Sequence, residues 1–252
     1  MDGARRGTGS IVGPMRIKHL LPAGLAVLVG LGGCAGETRE RPASAGEDTA
    51  SAPAGARTYT SDQLRQALLP EVQQYVRAGE PDSGAYGMLK PVRNFAQLQG
   101  QVTLDKPKCA TASQAVGSGG SLGSAPAALA TFARADGQTI TQTLLAVSEL
   151  TATEEIGRRV PALCRTFRTK VGGRWSTHQV VEATPDRRFV GDGSRTVGLL
   201  TMSGSTKVTM WFVVFRGRGY LGTISVYGAK ASRREAERIG TLAHEQAARV
   251  LP

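Results

Sequence analysis

Residues 196–227 read TVGLLTMSGSTKVTMWFVVFRGRGYLGTISVY, and their alternation decides the architecture. Three runs rich in Val, Thr, Leu, Ile and aromatics (Thr196–Met202, Lys207–Phe215 and Tyr220–Tyr227) are separated by Ser203-Gly204-Ser205 and Arg216-Gly217-Arg218-Gly219. β-Branched and aromatic side chains suit a pleated, half-buried surface, and glycine-bearing breaks permit reversal of the chain, so an antiparallel meander is predicted. In the middle run Met210, Phe212 and Val214 point one way, and Trp211, Val213 and Phe215 the other. A strand apolar on both faces needs cover on both, so this one is expected at the centre of the sheet.

Working outward, Asp192-Gly193 marks a turn before the meander, and Gln179–Glu182 is a short strand. Further upstream, Ala127–Arg134 and Gln138–Ser148 flank Asp136-Gly137, a strong hairpin signal. In the second of these runs Ile140, Leu144 and Ala146 share a face, with Leu145 and Val147 on the other. Thr151-x-x-Glu154 looks like a capping box, and Ile156, Val160, Leu163 and Phe167 follow at helical spacing. Pro161 removes a backbone donor inside that stretch, so a kinked helix is expected. After the meander, Ser232-x-x-Glu235 caps a final helix whose stripe is Ala236, Ile239, Ala243 and Val250, with Leu242 beside it. At the other end Thr60-Ser61-Asp62-Gln63 caps a short helix carrying Leu64 and Leu68, with a second helical piece over Glu71–Arg77. Residues 80–92 hold Pro81, Gly84, Gly87 and Pro91 and read as loop. The fold class is therefore α+β: an antiparallel sheet with packed helices, forming one domain over residues 60–252.

The start of the chain reads as an address. Arg16, Lys18 and His19 precede an apolar stretch, Leu20 to Leu31, that ends Leu31-Gly32-Gly33-Cys34. The charged n-region and short h-region make a signal peptide over 1–33, with Met15 as the expected true start. Leu31-Gly32-Gly33-Cys34 resembles the lipobox of bacterial lipoproteins, whose Cys becomes the thioether carrying diacylglycerol. The resemblance implies lipid attachment at Cys34 and a place on the outer face of the cell membrane; the alternative is an ordinary secretory signal with a chance Cys. Arg5-Arg6 lacks the apolar residues and Lys that a twin-arginine signal carries after the pair. Residues 34–59 hold the lipidated Cys and a linker of small, polar and charged residues, expected to be disordered.

Composition narrows the classes further. No apolar run approaches the roughly 20 residues of a spanning helix, which excludes a polytopic membrane protein. The formal net charge is +11, and cleavage before Cys34 leaves 27 basic and 19 acidic side chains, a net of +8. Arg outnumbers Lys 24 to 7, which a GC-rich genome explains as readily as a ligand does. The basic residues are thinly spread and form no nucleic-acid motif, so nucleic acid is not an expected partner. A basic face could instead rest on anionic headgroups, at about 1 kcal/mol per basic residue.

With Cys34 lipidated, Cys109 and Cys164 remain, and outside the membrane they most simply form one disulfide; two free thiols are the alternative. The mature chain has only His178 and His244, neither beside a Cys or a carboxylate cluster, so both read as packing or surface residues. No metal site and no cofactor are expected. Gly119-Gly120-Ser121-Leu122-Gly123 matches the nucleophile-elbow pattern formally, but that chemistry needs a strand before the Ser and a helix after it. Here the flanks are Gly and Ser, then Pro126. Asp186 and Asp192 flank Arg187-Arg188 and offer a carboxylate pair, which a solvated loop explains equally well.

Taken together, the lipobox, the linker, the Cys109 and Cys164 pair and the strand meander resemble a group of actinobacterial lipoproteins, similar to the extracellular sensor domains of mycobacterial serine/threonine kinases. The resemblance rests on Ala162-Leu163-Cys164 after the first hairpin, Gly191-Asp192 before the meander and the capped last helix. It implies a cleft beside the sheet and a sensing or ligand-holding role, without catalytic residues. The leading reading is a non-enzymatic binding or sensing lipoprotein holding a small or lipidic ligand, with Trp175, Trp211 and Tyr220 as candidate cleft walls. The alternatives are a protein-binding accessory of an envelope complex, and an envelope hydrolase.

Overall fold

The computed structural model describes residues 58–112, 114, 120–182 and 190–251. The strands of the meander are β8 (Ser194–Ser203), β9 (Thr206–Gly217) and β10 (Tyr220–Gly228), each longer than the alternation alone suggests. Before them come β1 (Val76–Arg77), β2 (Asp82–Ala85), β3 (Thr103–Leu104), β4 (Pro126–Ala133), β5 (Thr139–Ala146), β6 (Thr166–Val171) and β7 (Arg174–Glu182). All ten join one antiparallel sheet in the order β1-β4-β5-β10-β9-β8-β7-β6-β3, with β2 also on β4. Strand β9 is the centre of that order. Val213 and Phe215 bury into one layer and Phe212 and Val214 into the other, as a two-faced strand requires.

Four helices complete the fold: α1 (Ser61–Gln66), α2 (Lys90–Gln99), α3 (Glu149–Gly157) and α4 (Arg233–Val250). In α1 the Thr60 hydroxyl accepts from the Gln63 amide while the Gln63 side chain takes the Thr60 N–H, a complete capping box. Helix α4 starts where Ser232 Oγ accepts from Glu235 N, and its buried stripe is Ala236, Ile239, Gly240, Ala243 and Ala247. Leu242 stays exposed. Small residues along that stripe let α4 lie close on the sheet, where Gly240 meets Val213.

Helices α1 and α4 cover one face of the sheet and bury the largest core, which includes Leu64, Leu68, Ile140, Leu144, Phe215, Tyr220 and Ile239. On the opposite face, α3 and the turn at Tyr86–Met88 pack over Ala127, Leu129, Leu145, Val214 and Leu221. Further along that second face lies a third core, built on Phe167, Val180, Val197, Leu199 and Phe212.

Several local expectations are corrected. Residues 71–77 are not helical: Val72 bridges Tyr75, Gln74 takes a φ of 70°, and Val76–Arg77 pairs with β4. Edge pairing and burial of the Tyr75 ring outweigh the weak helical pattern. Residues 80–92 are not loop. They hold β2, a 3-10 turn and the start of α2, where Pro91 occupies the first turn and Asp82 Oδ2 accepts from Lys90 N at 2.6 Å. Proline is well placed in a first turn, and the cap comes from eight residues upstream, beyond local pattern.

The kinked helix through Pro161 does not form. Helix α3 is capped by Ser148, whose Oγ accepts from Thr151 N, and it ends at Gly157. A residue before proline disfavours helical backbone, and Val160 instead donates its amide to Glu182 Oε1. Ala162–Cys164 is one 3-10 turn, and Phe167 lies on β6. The sequence pattern marks only Gln179–Glu182 of the β6–β7 hairpin, which turns at Gly172 and Gly173, with φ of 54° and 83°, as a two-residue turn of that hand demands.

Candidate functional site

The third core is stapled. Cys109, in the 3-10 turn Pro107–Cys109, is bonded to Cys164, and both are 1% exposed. The two segments are held around the bond by further contacts. Asp105 Oδ1 accepts from Arg168 N at 2.7 Å, and Lys106 Nζ donates to the carbonyls of Leu163 and Thr166.

Beside the disulfide is a cavity of about 30 Å³, walled by Thr111 and Gln114 on the Cys109 side, by Arg158, Arg159 and Pro161 on the Cys164 side, and by Arg195 from β8. That volume holds about two water-sized guests and no acyl chain, and Ala112, Val160 and Val197 complete its lining. Arg195 is 7% exposed, and its Nε donates to the Glu155 carbonyl at 2.9 Å. Burial pushes its guanidinium down to about 10, Arg158 and Arg159 push the same way, and Glu182 opposes them. Arg158 is ion-paired with Glu155, and burial lowers it as well. Of the three guanidinium groups at the cavity, Arg158 is paired with the Glu155 carboxylate, Arg195 feels the Glu182 carboxylate, and Arg159 is exposed.

The aromatic candidates separate. Tyr220 is 2% exposed beneath α4, and its hydroxyl lies 3.0 Å from His244 Nδ1, so its ring belongs to the first core rather than to a cleft wall. Trp211 is half-buried against that core and covers Gly198, where a Cβ would come within 2.8 Å of its ring. Trp175 is 39% exposed at the start of β7, with the Arg168 guanidinium 4.6 Å and the Lys170 ammonium 5.9 Å from its ring centre. The register puts Trp175 and Trp211 on the α1–α4 face of the sheet, where α4 lies over β9 and β10 and reaches β8 at Thr196, leaving β6 and β7 uncovered by it. Sequence reading found no reason to join Trp175 to Arg168 and Lys170, because it missed the hairpin that aligns them; the Gly172-Gly173 pair was the available signal.

The remaining candidates are placed as follows. His178 sits between Thr169 Oγ1 and Thr201 Oγ1 at 2.7 and 2.9 Å and stacks on Phe167. Burial holds both His178 and His244 below the usual imidazole value. Gly120–Ser124 is a 3-10 turn leading directly into β4, without the strand–turn–helix setting of a nucleophile elbow. Asp192 is exposed in the turn before β8. Cys34, Met15, the signal, the linker before residue 58, and Asp186 with Arg187-Arg188 lie outside the described residues. Among the described residues no group of three or more His, Cys, Asp or Glu could hold a metal ion, and no helix is long and apolar enough to cross a membrane.

No family model matches the chain, and no curated protein matches it. Among solved structures it is similar to the extracellular domain of PknH from Mycobacterium tuberculosis, at 10% identity and a TM-score of 0.49, over 78% of this chain and 98% of that one. It is also similar to an uncharacterized protein of Mycobacterium smegmatis, the Rv0999 ortholog, at 13% identity and a TM-score of 0.41, over 74% of this chain and 94% of that one.

Proposed function

We propose that the chain is an extracytoplasmic lipoprotein anchored through Cys34, whose folded domain is a non-enzymatic ligand-binding or sensing module. Residues 1–33 are the signal, 34–59 the lipidated Cys and linker, and 60–252 the domain. The anchor rests on Leu31-Gly32-Gly33-Cys34, and the buried Cys109–Cys164 bond supports a place outside the reducing cytosol. The observation that carries ligand binding is the cavity lined by Arg158, Arg159 and Arg195, which suits the anionic end of a small molecule whose remainder stays in solvent.

Titration of the chain with inorganic phosphate and with acetate, followed by thermal unfolding, tests this. A ligand at one hundred times its Kd raises stability by about 2.7 kcal/mol. The exposed Arg159, changed to Gln, is expected to weaken that stabilisation without unfolding the domain. A melting temperature indifferent to both anions, or equal stabilisation of wild type and Arg159→Gln, rejects the site. Acylation of Cys34, read as added mass that Cys34→Ala removes, tests the anchor separately.

A specific feature also supports the protein-accessory reading. Helix α2 buries no residue fully and presents Phe95 and Leu98, one turn apart, with Met88 just before it, all about half or more exposed. Cross-linking in intact cells that depends on Phe95 and Leu98 would favour a partner there.

A further inference from the structure

Beyond α4 the sheet has a face that nothing covers among the described residues. Arg168 on β6, Thr177 on β7, Met202 on β8 and Lys207 on β9 form one cross-strand row, and Lys170 with Trp175 forms the adjacent row. All six are exposed. Strand spacing makes the first row about 14 Å long. No described strand position on this face over β6–β9 carries an acidic side chain. Two acidic groups border it and are engaged: Asp105 takes the Arg168 amide, and Glu237 on α4 holds Arg233 at 2.6 Å. The patch is thus cationic and apolar at once, with a Trp whose ring lies against two cations.

We propose that this face docks on an anionic lipid surface, with Arg168, Lys170 and Lys207 on headgroup phosphates and Trp175 and Met202 in the headgroup boundary. The inference rests on the lipid-anchor reading above. Three observations favour a bilayer over other occupants. Charge complementarity is one, at about fivefold in partition per basic residue near an anionic surface. A second is the Trp, whose amphipathic ring favours the membrane–water interface. The third is where the described chain begins. Tyr59 packs into the α1–α4 core and against Tyr220, on the same face of the sheet as the patch. Anchoring makes docking intramolecular, so even weak contacts hold the face down. Helix α2, whose Val92 packs on the second core, then faces away from the bilayer.

The chain has two Trp residues, so Trp211→Phe leaves Trp175 as the single reporter. The lipidated chain in this form is reconstituted into phosphatidylcholine vesicles with and without phosphatidylglycerol, with bromine on the acyl chains. Quenching of Trp175 is expected in the anionic vesicles alone, falling at high salt. Lys170→Ala or Lys207→Ala should lower the docked-to-undocked ratio about fivefold, and both together about 25-fold. Absent quenching, quenching equal in both vesicles, or indifference to the two Lys changes overturns the proposal. If Trp211→Phe fails to fold, the salt-dependent part of the wild-type quenching gives the same decision. Cys34 acylation is read by mass on the same sample. An unacylated Cys34 rejects the anchor, and quenching of freely added chain then decides the face alone; an acylated Cys34 without quenching rejects only the face.

Discussion

Replacing Cys109 and Cys164 together with Ala should cost the domain about 4 kcal/mol. The bond closes a loop with a sequence separation of 55, and in the chain-entropy account such a loop removes about 14 cal/mol/K from the unfolded ensemble, or about 4 kcal/mol at 25 °C. The native geometry of the two segments does not depend on the bond alone. The β3–β6 pairing, the Asp105–Arg168 bond and the two Lys106 bonds hold the strand and turns in place. The loss should therefore arise mainly in the unfolded state, with the sheet intact in the variant. Out of a typical total of about 5–15 kcal/mol, that is a large share. For a domain of this size it corresponds to about 8–16 °C in melting temperature. Equilibrium urea unfolding of the oxidised chain, the reduced chain and the double Ala variant measures it. The m-value should rise without the bond, because the unfolded chain then exposes more surface. A loss under about 1 kcal/mol with unchanged m-value would refute the entropy argument and show that the surrounding contacts already restrict the unfolded chain.

Three further outcomes are expected. Gly222→Ala should destabilise by about 1–3 kcal/mol, because its Cβ would overlap the ring of the fully buried Phe215 directly across on β9; Phe215→Leu in the same chain should recover part of the loss in a double-mutant cycle. Ser232→Ala should cost about 1 kcal/mol through the lost cap on α4, read by chemical denaturation, and an unchanged midpoint would mean the helix is held by its buried stripe alone. The pH profile should fall at both ends. Tyr75, raised to about 12 by burial and then by Glu235, stabilises the fold fully below the ordinary phenol value of 10.0, and that contribution disappears as pH climbs from 10 to about 12. Asp136, held down at about 2 by Arg134 and then by the Gln138 amide, contributes above 3.8 and is lost as pH falls toward 2. Tyr75→Phe should shrink the alkaline limb, to which the buried Tyr220 and the half-buried Tyr86 also contribute, and leave the acid limb unchanged; an unchanged alkaline limb contradicts the Tyr75 assignment.

Where sequence reading succeeded, the determining interactions are local. The capping box at Thr60 and the cap at Ser232 act within three residues, and the Asp136-Gly137 turn lies between the strands it joins. The two-faced pattern of Met210–Phe215 places β9 centrally because burial on both sides is written into one short run. Where it failed, the partners are distant. The cap of α2 is Asp82, and Val160 is drawn from a helix by Glu182, 22 residues away. The arginine cavity gathers Thr111, Ala112 and Gln114 with residues 158–161, Arg195 and Val197, which no spacing rule connects.

The basic residues make the same point about the candidate surface. Along the chain Arg168, Lys170 and Lys207 are part of a thin scatter that genome composition explains. Only the pairing of β6, β7, β8 and β9 puts them in two adjacent rows with Trp175. The sequence by itself determined the α+β class, the central strand and the two helix caps, because each depends on periodicity or on neighbours within a few residues. The tertiary structure decided the β6–β7 hairpin's place in the sheet, the arginine cavity beside the disulfide and the uncovered cationic face, because strand order and register bring together side chains that the chain keeps tens of residues apart.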